Sequence, residues 1–143
     1  MKKIFKIKTV HCLIALVAMV IVIYIADIFT TDAVITPIHD THLSEVSGQL
    51  LKDETSDGIS YVLFYKDGSL GCDRMAHNLD QFSKEKPDIR FLCMDISEED
   101  KLLETYGISG VPYTLIFKDG KPVEKVMGIV SVANLGMIHN RVK

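Results

Sequence analysis

The chain has 143 residues, enough for one ordinary domain and not two. A net charge of −3 from 16 basic and 19 acidic residues supplies no global attraction to nucleic acid. With 48% apolar and 24% charged residues the chain is not disordered, and with three cysteines it is not a disulfide-dense scaffold.

The apolar residues are concentrated at the front. Cys12 to Ala26 is 15 residues without a charge, and Lys2, Lys3, Lys6 and Lys8 precede it. A surface helix of a small domain keeps a polar face, and this run has none. A cleaved signal peptide and an uncleaved anchor both fit such a segment. Cleavage needs small residues at the last and third-last positions. Ala26 suits the last, but Tyr24 is bulky at the third-last, and Thr31 and Ala33 lie late, so the sequence favours an anchor. The lysines then stay cytoplasmic and the rest is exported. Residues 1–29 are read as a basic cytoplasmic end and single-pass transmembrane signal-anchor. Residues 30–40 are read as a tether with one short extended piece, and 41–143 as an extracytoplasmic domain. A bacterial periplasmic or cell-surface protein has this layout. Cys12, at the edge of the span, reads as a small apolar residue.

Thr41 to Asp53 carries Leu43, Val46, Leu50 and Leu51 at helical spacing, with Asp40 or Thr41 as its cap, which predicts a helix. Ile59 to Lys66 is a near-continuous β-branched and aromatic run, the pattern of a strand buried on both faces. Asp67-Gly68-Ser69 breaks it. Cys72 to Lys84 reads as a helix with Met75, Leu79 and Phe82 on one face. Ile89 to Ile96 is a second buried strand. Ser97 is expected to cap the next helix, with Glu98, Glu99 and Asp100 at its positive end, and Gly107 to stop it after Tyr106. Tyr113 to Phe117 is a third strand, Asp119-Gly120 a hairpin turn, Val123 to Gly128 the partner strand, and Ser131 the cap of a last helix. A strand–helix–strand unit demands right-handed parallel pairing, and the hairpin adds an antiparallel edge. The expected fold is a three-layer α/β domain with a mixed central sheet.

From Tyr61 onward the chain resembles the thioredoxin family. The stretch YGISGVPYTLIFKDG, Tyr106 to Gly120, carries the family's landmarks at the family's spacing, and DISEEDKLLE, Asp95 to Glu104, matches its segment after the third strand. The resemblance covers about 80 residues. It implies a thioredoxin-like fold and a cis bond between Val111 and Pro112. It also implies that the backbone of Val111, beside Pro112, pairs with an extended substrate chain.

The family's Cys-x-x-Cys is not intact. One cysteine, Cys72, stands between the first buried strand and the helix. Two registers place it. Either Cys72 is the first position and Met75 the second, or the two positions are Leu70 and Asp73 with Cys72 between them. The buried acid of the family's central strand aligns with Phe64, and the lysine that often partners it aligns with Cys93. Replacing both members of a buried polar pair is tolerable, where removing one is not. Cys93 itself reads as a core thiol, with a cryptic pairing to Cys72 as the alternative. His77 reads as a solvated helix residue, and His39, His42 and His139 show no metal-ligand spacing.

These features predict a membrane-anchored, extracytoplasmic thioredoxin-like monomer with a thiol–disulfide exchange or redox-related role through a single cysteine. Its partners would be protein or peptide thiols and disulfides, with no cofactor, metal or nucleic acid. Cys72 is the catalytic candidate, and Val111 and Pro112 the substrate-binding ones. The alternative is a non-catalytic module that captures an extended partner segment beside the cis-proline.

Overall fold

The computed structural model describes the backbone of residues 2–30, 35–97 and 100–143, with side chains for 11–25, 35–97 and 101–143. The chain divides into two compact units, Met1–Val34 and Ile35–Lys143. The first holds one continuous helix, α1 (Lys2–Thr30), because nothing in its sequence breaks the i→i−4 ladder. The described side chains of α1 are exposed, the apolar ones included. Among the described residues no helix is long and apolar enough to cross a membrane. The transmembrane span expected over 1–29 therefore has no counterpart there, side chains of α1 being described only for residues 11–25. Part of the extended piece expected in 30–40 falls on 31–34, outside the described residues.

The second unit contains β1 (Ser44–Glu45), α2 (Leu51–Glu54), β2 (Ile59–Tyr65), α3 (Leu70–Glu85), β3 (Arg90–Asp95), α4 (Asp100–Tyr106), β4 (Tyr113–Lys118), β5 (Lys121–Met127) and α5 (Val132–Val142). The sheet order is β1-β3-β2-β4-β5. β2 pairs parallel to β3 and antiparallel to β4, and β5 pairs antiparallel to β4, so the sheet is mixed, as the order of elements implies. β2 is central and buried along almost its whole length. Its alternate residues divide between two cores. Tyr61, Leu63 and Tyr65 join Met75, Leu79, Phe82 and Leu135 of α3 and α5. Val62 and Phe64 join Leu92, Met94, Leu115 and Phe117 on the other face, against Leu102, Leu103 and Tyr106 of α4.

The helix predicted over Thr41–Asp53 does not form. Ile38–Asp40 is a 3-10 turn, Ser44–Glu45 is a short strand parallel to β3, and only Leu51–Glu54 is helical. Backbone donors that a helix would have satisfied locally go elsewhere: His42 N–H to Asp80 and Val46 N–H to the Cys93 carbonyl. Strand geometry also explains the apolar residues. Leu43 enters one core and Val46 the other, which a single helix face cannot do, while Leu50 is exposed.

The tether boundary differs as well. The compact unit begins at Ile35, and Ile38 is buried in the core. Ser97 is the last described residue before α4. Its N–H and hydroxyl both donate to Asp95, and Glu98 and Glu99 lie outside the described residues. The hairpin turn is as expected, with positive φ at Asp119 and Gly120. Their N–H groups donate to Gly58 and Thr55, which pins the turn to the loop before β2.

Candidate functional site

α3 starts at Leu70, two residues earlier than its apolar pattern indicates, because Ser69 caps it. Ser69 has extended φ/ψ, and its hydroxyl oxygen accepts the Cys72 N–H at 3.4 Å. Serine is among the preferred residues for this task. Ser69 and Cys72 thus occupy a Ser-x-x-Cys arrangement, with a hydroxyl at the cap and a thiol in the first turn. Neither register read from the sequence pairs these two residues. Met75 is fully buried core, Leu70 is 73% exposed, and Asp73 accepts the Ile38 N–H. The signal that could have found Ser69 was cap preference, applied before helical periodicity.

The bond between Val111 and Pro112 is cis. A Cβ at Gly71 would lie 3.5 Å from Pro112 Cδ and 4.0 Å from Ile129 Cδ1, so the first turn of α3 abuts the proline through a glycine backbone. Gly128 N–H donates to the Pro112 carbonyl at 2.9 Å and holds the end of β5 against it. Leu70 and the half-exposed Ile129 flank this contact with apolar surface open to solvent. Val111 packs against both cores. The candidates Cys72, Val111 and Pro112 therefore lie in one region, with Ser69, Gly71 and Leu70 added.

The thiol itself is closed off: Cys72 is 1% exposed and belongs to the core that holds Leu63, Tyr65 and Cys93. The cysteines are all free thiols. Cys93 lies opposite Leu63 in the β2–β3 register. Burial pushes its thiol up to about 11, and Glu45 adds to the rise, so Cys93 stays protonated at neutral pH. The strand residue that shares Cys72's side of the sheet is Leu63, not Phe64. Phe64 faces the opposite core, against Tyr106. The pair at this place, Leu63 and Cys93, is still without charge.

The histidines have structural partners. His39 lies 3.2 Å from Asp67, His42 lies 2.8 Å from Asp80, and His77 bridges Thr36 and Gln81. His139 is buried against Tyr61 and Phe82, where burial, then Lys86 and Lys143, hold its pKa below the usual range. Among the described residues no three His, Cys, Asp or Glu side chains converge as metal ligands. A cavity of about 390 Å³ lined by Tyr106, Tyr113, Leu115 and Val123 opens beside α4 and β5. Its core residues Tyr113 and Leu115 belong to the face opposite Cys72.

The family model described as Thioredoxin matches residues 42–139. Thioredoxin of Chlamydia trachomatis is 29% identical over 84 residues, which cover 59% of this chain and 82% of that one. A mutant thioredoxin from Halobacterium salinarum superposes with a TM-score of 0.61 at 27% identity, covering 72% of this chain and 89% of that structure. Chloroplastic thioredoxin z, at 23% identity, shares the fold with a TM-score of 0.63, covering 70% of this chain and 93% of its own.

Proposed function

The chain belongs to the thioredoxin family, and on that premise we propose that it is a membrane-anchored, extracytoplasmic thioredoxin-like protein that receives an extended partner segment beside cis-Pro112. The observation that carries this reading is the pairing of an open apolar rim with a closed thiol. Leu70 and Ile129 are exposed around the Gly71–Pro112 contact, while Cys72 is 1% exposed. A surface so built holds a segment by backbone pairing at Val111 and by apolar contact, and needs no thiol to do so. Ser69 stands where a second thiol would complete a Cys-x-x-Cys, so rapid intramolecular release of a mixed disulfide is lost.

Single-cysteine exchange is the second reading, favoured by the place of Cys72 in the first turn of α3 beside that rim. There the Cys72 thiolate attacks a partner disulfide, a mixed disulfide forms, and one partner sulfur leaves as thiolate. A small-molecule or protein thiol then reduces the mixed disulfide. The anchor rests on the uncharged run Cys12–Ala26 behind four lysines and on the unbroken helix Lys2–Thr30, about 43 Å long at 1.5 Å per residue.

The deciding experiment is partner capture by the full chain and by its Cys72→Ser variant, under non-reducing and reducing conditions. Capture that survives both the substitution and the reductant supports binding without turnover. Capture that vanishes with Cys72 assigns single-cysteine exchange instead. Membrane extraction at alkaline pH, with protease access to the domain from the outside, tests the anchor. Release into the soluble fraction overturns it.

A further inference from the structure

Residues 36–42 lie across α3 before the sheet begins, and the ties that hold them are more than a linker needs. Asp73 Oδ1 accepts the Ile38 N–H at 3.0 Å, and Asp80 Oδ1 accepts the His42 N–H at 2.9 Å. The His42 ring lies 2.8 Å from the same Asp80 oxygen, and Lys84 holds the other oxygen at 3.1 Å. The Thr36 hydroxyl lies 3.2 Å from His77 Nδ1. Asp73, His77 and Asp80 are spaced by four and three residues, so they form one stripe along α3. His39 adds a contact of 3.2 Å to Asp67 on the loop that leads into α3. Between these ties Ile38 is 3% exposed and shares a core with Cys72 and Tyr65. Two of the ties are backbone N–H to carboxylate, and hydrogen bonds to a charged partner are stronger than neutral ones.

We propose that residues 36–42 form a strap that closes over the first turn of α3 and gates Cys72. Docked, the strap seats Ile38 in the core cluster to which Cys72 belongs. Lifted, it uncovers the turn that carries Cys72. The strap is the first part of the domain reached from α1, so a pull on the N-terminal segment acts on it before any strand of the sheet. Its functional meaning rests on Cys72 being the thiol of the proposed site, but its test needs no partner.

The test is the alkylation rate of Cys72 in the full chain, reconstituted in detergent micelles and read by peptide mass mapping, with Cys93 as internal standard. Cys93 is buried on β3, which is hydrogen-bonded on both sides, to β1 and to β2. In the Asp73→Ala/Asp80→Ala variant, Cys72 should react roughly tenfold faster or more, with Cys93 unchanged. Ile38→Ala should shift Cys72 in the same direction without altering α3. Equal acceleration at both cysteines, or none at Cys72, overturns the strap. A gate that opens as expected, in a protein whose partner capture ignores Cys72→Ser, leaves the strap standing and removes only the exchange reading.

Discussion

Ser69→Cys should convert the cap and the thiol into a disulfide. Ser69 is the N-cap and Cys72 the third residue of the helix, with the Ser69 oxygen 3.4 Å from the Cys72 nitrogen. Residues so placed in a first turn have Cα atoms about 5.5 Å apart, inside the window a disulfide accepts. Closing a four-residue loop removes about 1.9 kcal/mol of unfolded-state entropy at 25 °C. Losing the serine cap costs about 1 kcal/mol. The oxidised variant should therefore exceed the parent by about 1 kcal/mol, or roughly 5 °C in Tm, and fall below it by a similar amount when reduced. Intact mass after equilibration in an oxidising glutathione buffer should show the loss of about 2 Da that accompanies one disulfide. Thermal melts with and without reductant supply the stability difference, and peptide mapping identifies the bond. A variant that stays fully reduced in that buffer, or bonds Cys93 in place of Cys72, would refute the assignment of Ser69 and Cys72 as the paired positions.

Phe82→Ala should cost about 3–5 kcal/mol in urea unfolding, since Phe82 is fully buried between Tyr61 and Phe91 at 5.9 Å from each. A loss under 1 kcal/mol would show that α3 does not pack the sheet as described. His139 has its pKa lowered in the fold, so the neutral ring is the stable form there. Its contribution is complete above the ordinary value of 6.5 and falls away as pH drops below it, because the unfolded chain then binds the extra proton. His139→Phe should flatten the stability profile across that range, and an unchanged slope would count against the assignment. Asp80, by contrast, is held in its charged form. Burial works to raise its pKa, but the His42 backbone and ring and Lys84 outweigh burial and hold it below 3.8. The stability it supplies is present above 3.8 and is lost as pH falls through the lower folded value, which an acid titration of Asp80→Asn against the parent should show. Gly120→Ala should destabilise by about 1 kcal/mol through its positive φ alone, since its Cβ would meet only an ordinary contact at 3.7 Å. A neutral result would mean that the hairpin turn relaxes.

Much of the fold is written locally. The runs at Ile59 and Ile89 are apolar on both faces, and both became inner strands of the sheet. Asp119-Gly120 can populate positive φ and Ser131 can cap, and each does so where its sequence places it. The family landmarks around Pro112 pointed to the cis bond that is found. These features depend on a residue and its near neighbours, so a linear reading reaches them. Partners distant in sequence decided the rest. Residues 41–53 have helical spacing, but β3 and Asp80 compete for their backbone donors and win, leaving a strand and a single turn. Whether Leu63 or Phe64 shares a face with Cys72 depends on the pleat of β2 and on which core lies above each side, and a one-residue error reverses the answer. The strap shows the same division. Nothing in the local sequence marks Asp73 and Asp80 as acceptors for a distant segment, and only the return of Ile38 and His42 across α3 makes them so. By itself the sequence determined that one thiol stands at the head of α3, whereas the tertiary structure decided that Ile38 joins the core that holds it, because only folding brings a segment more than thirty residues upstream onto that helix.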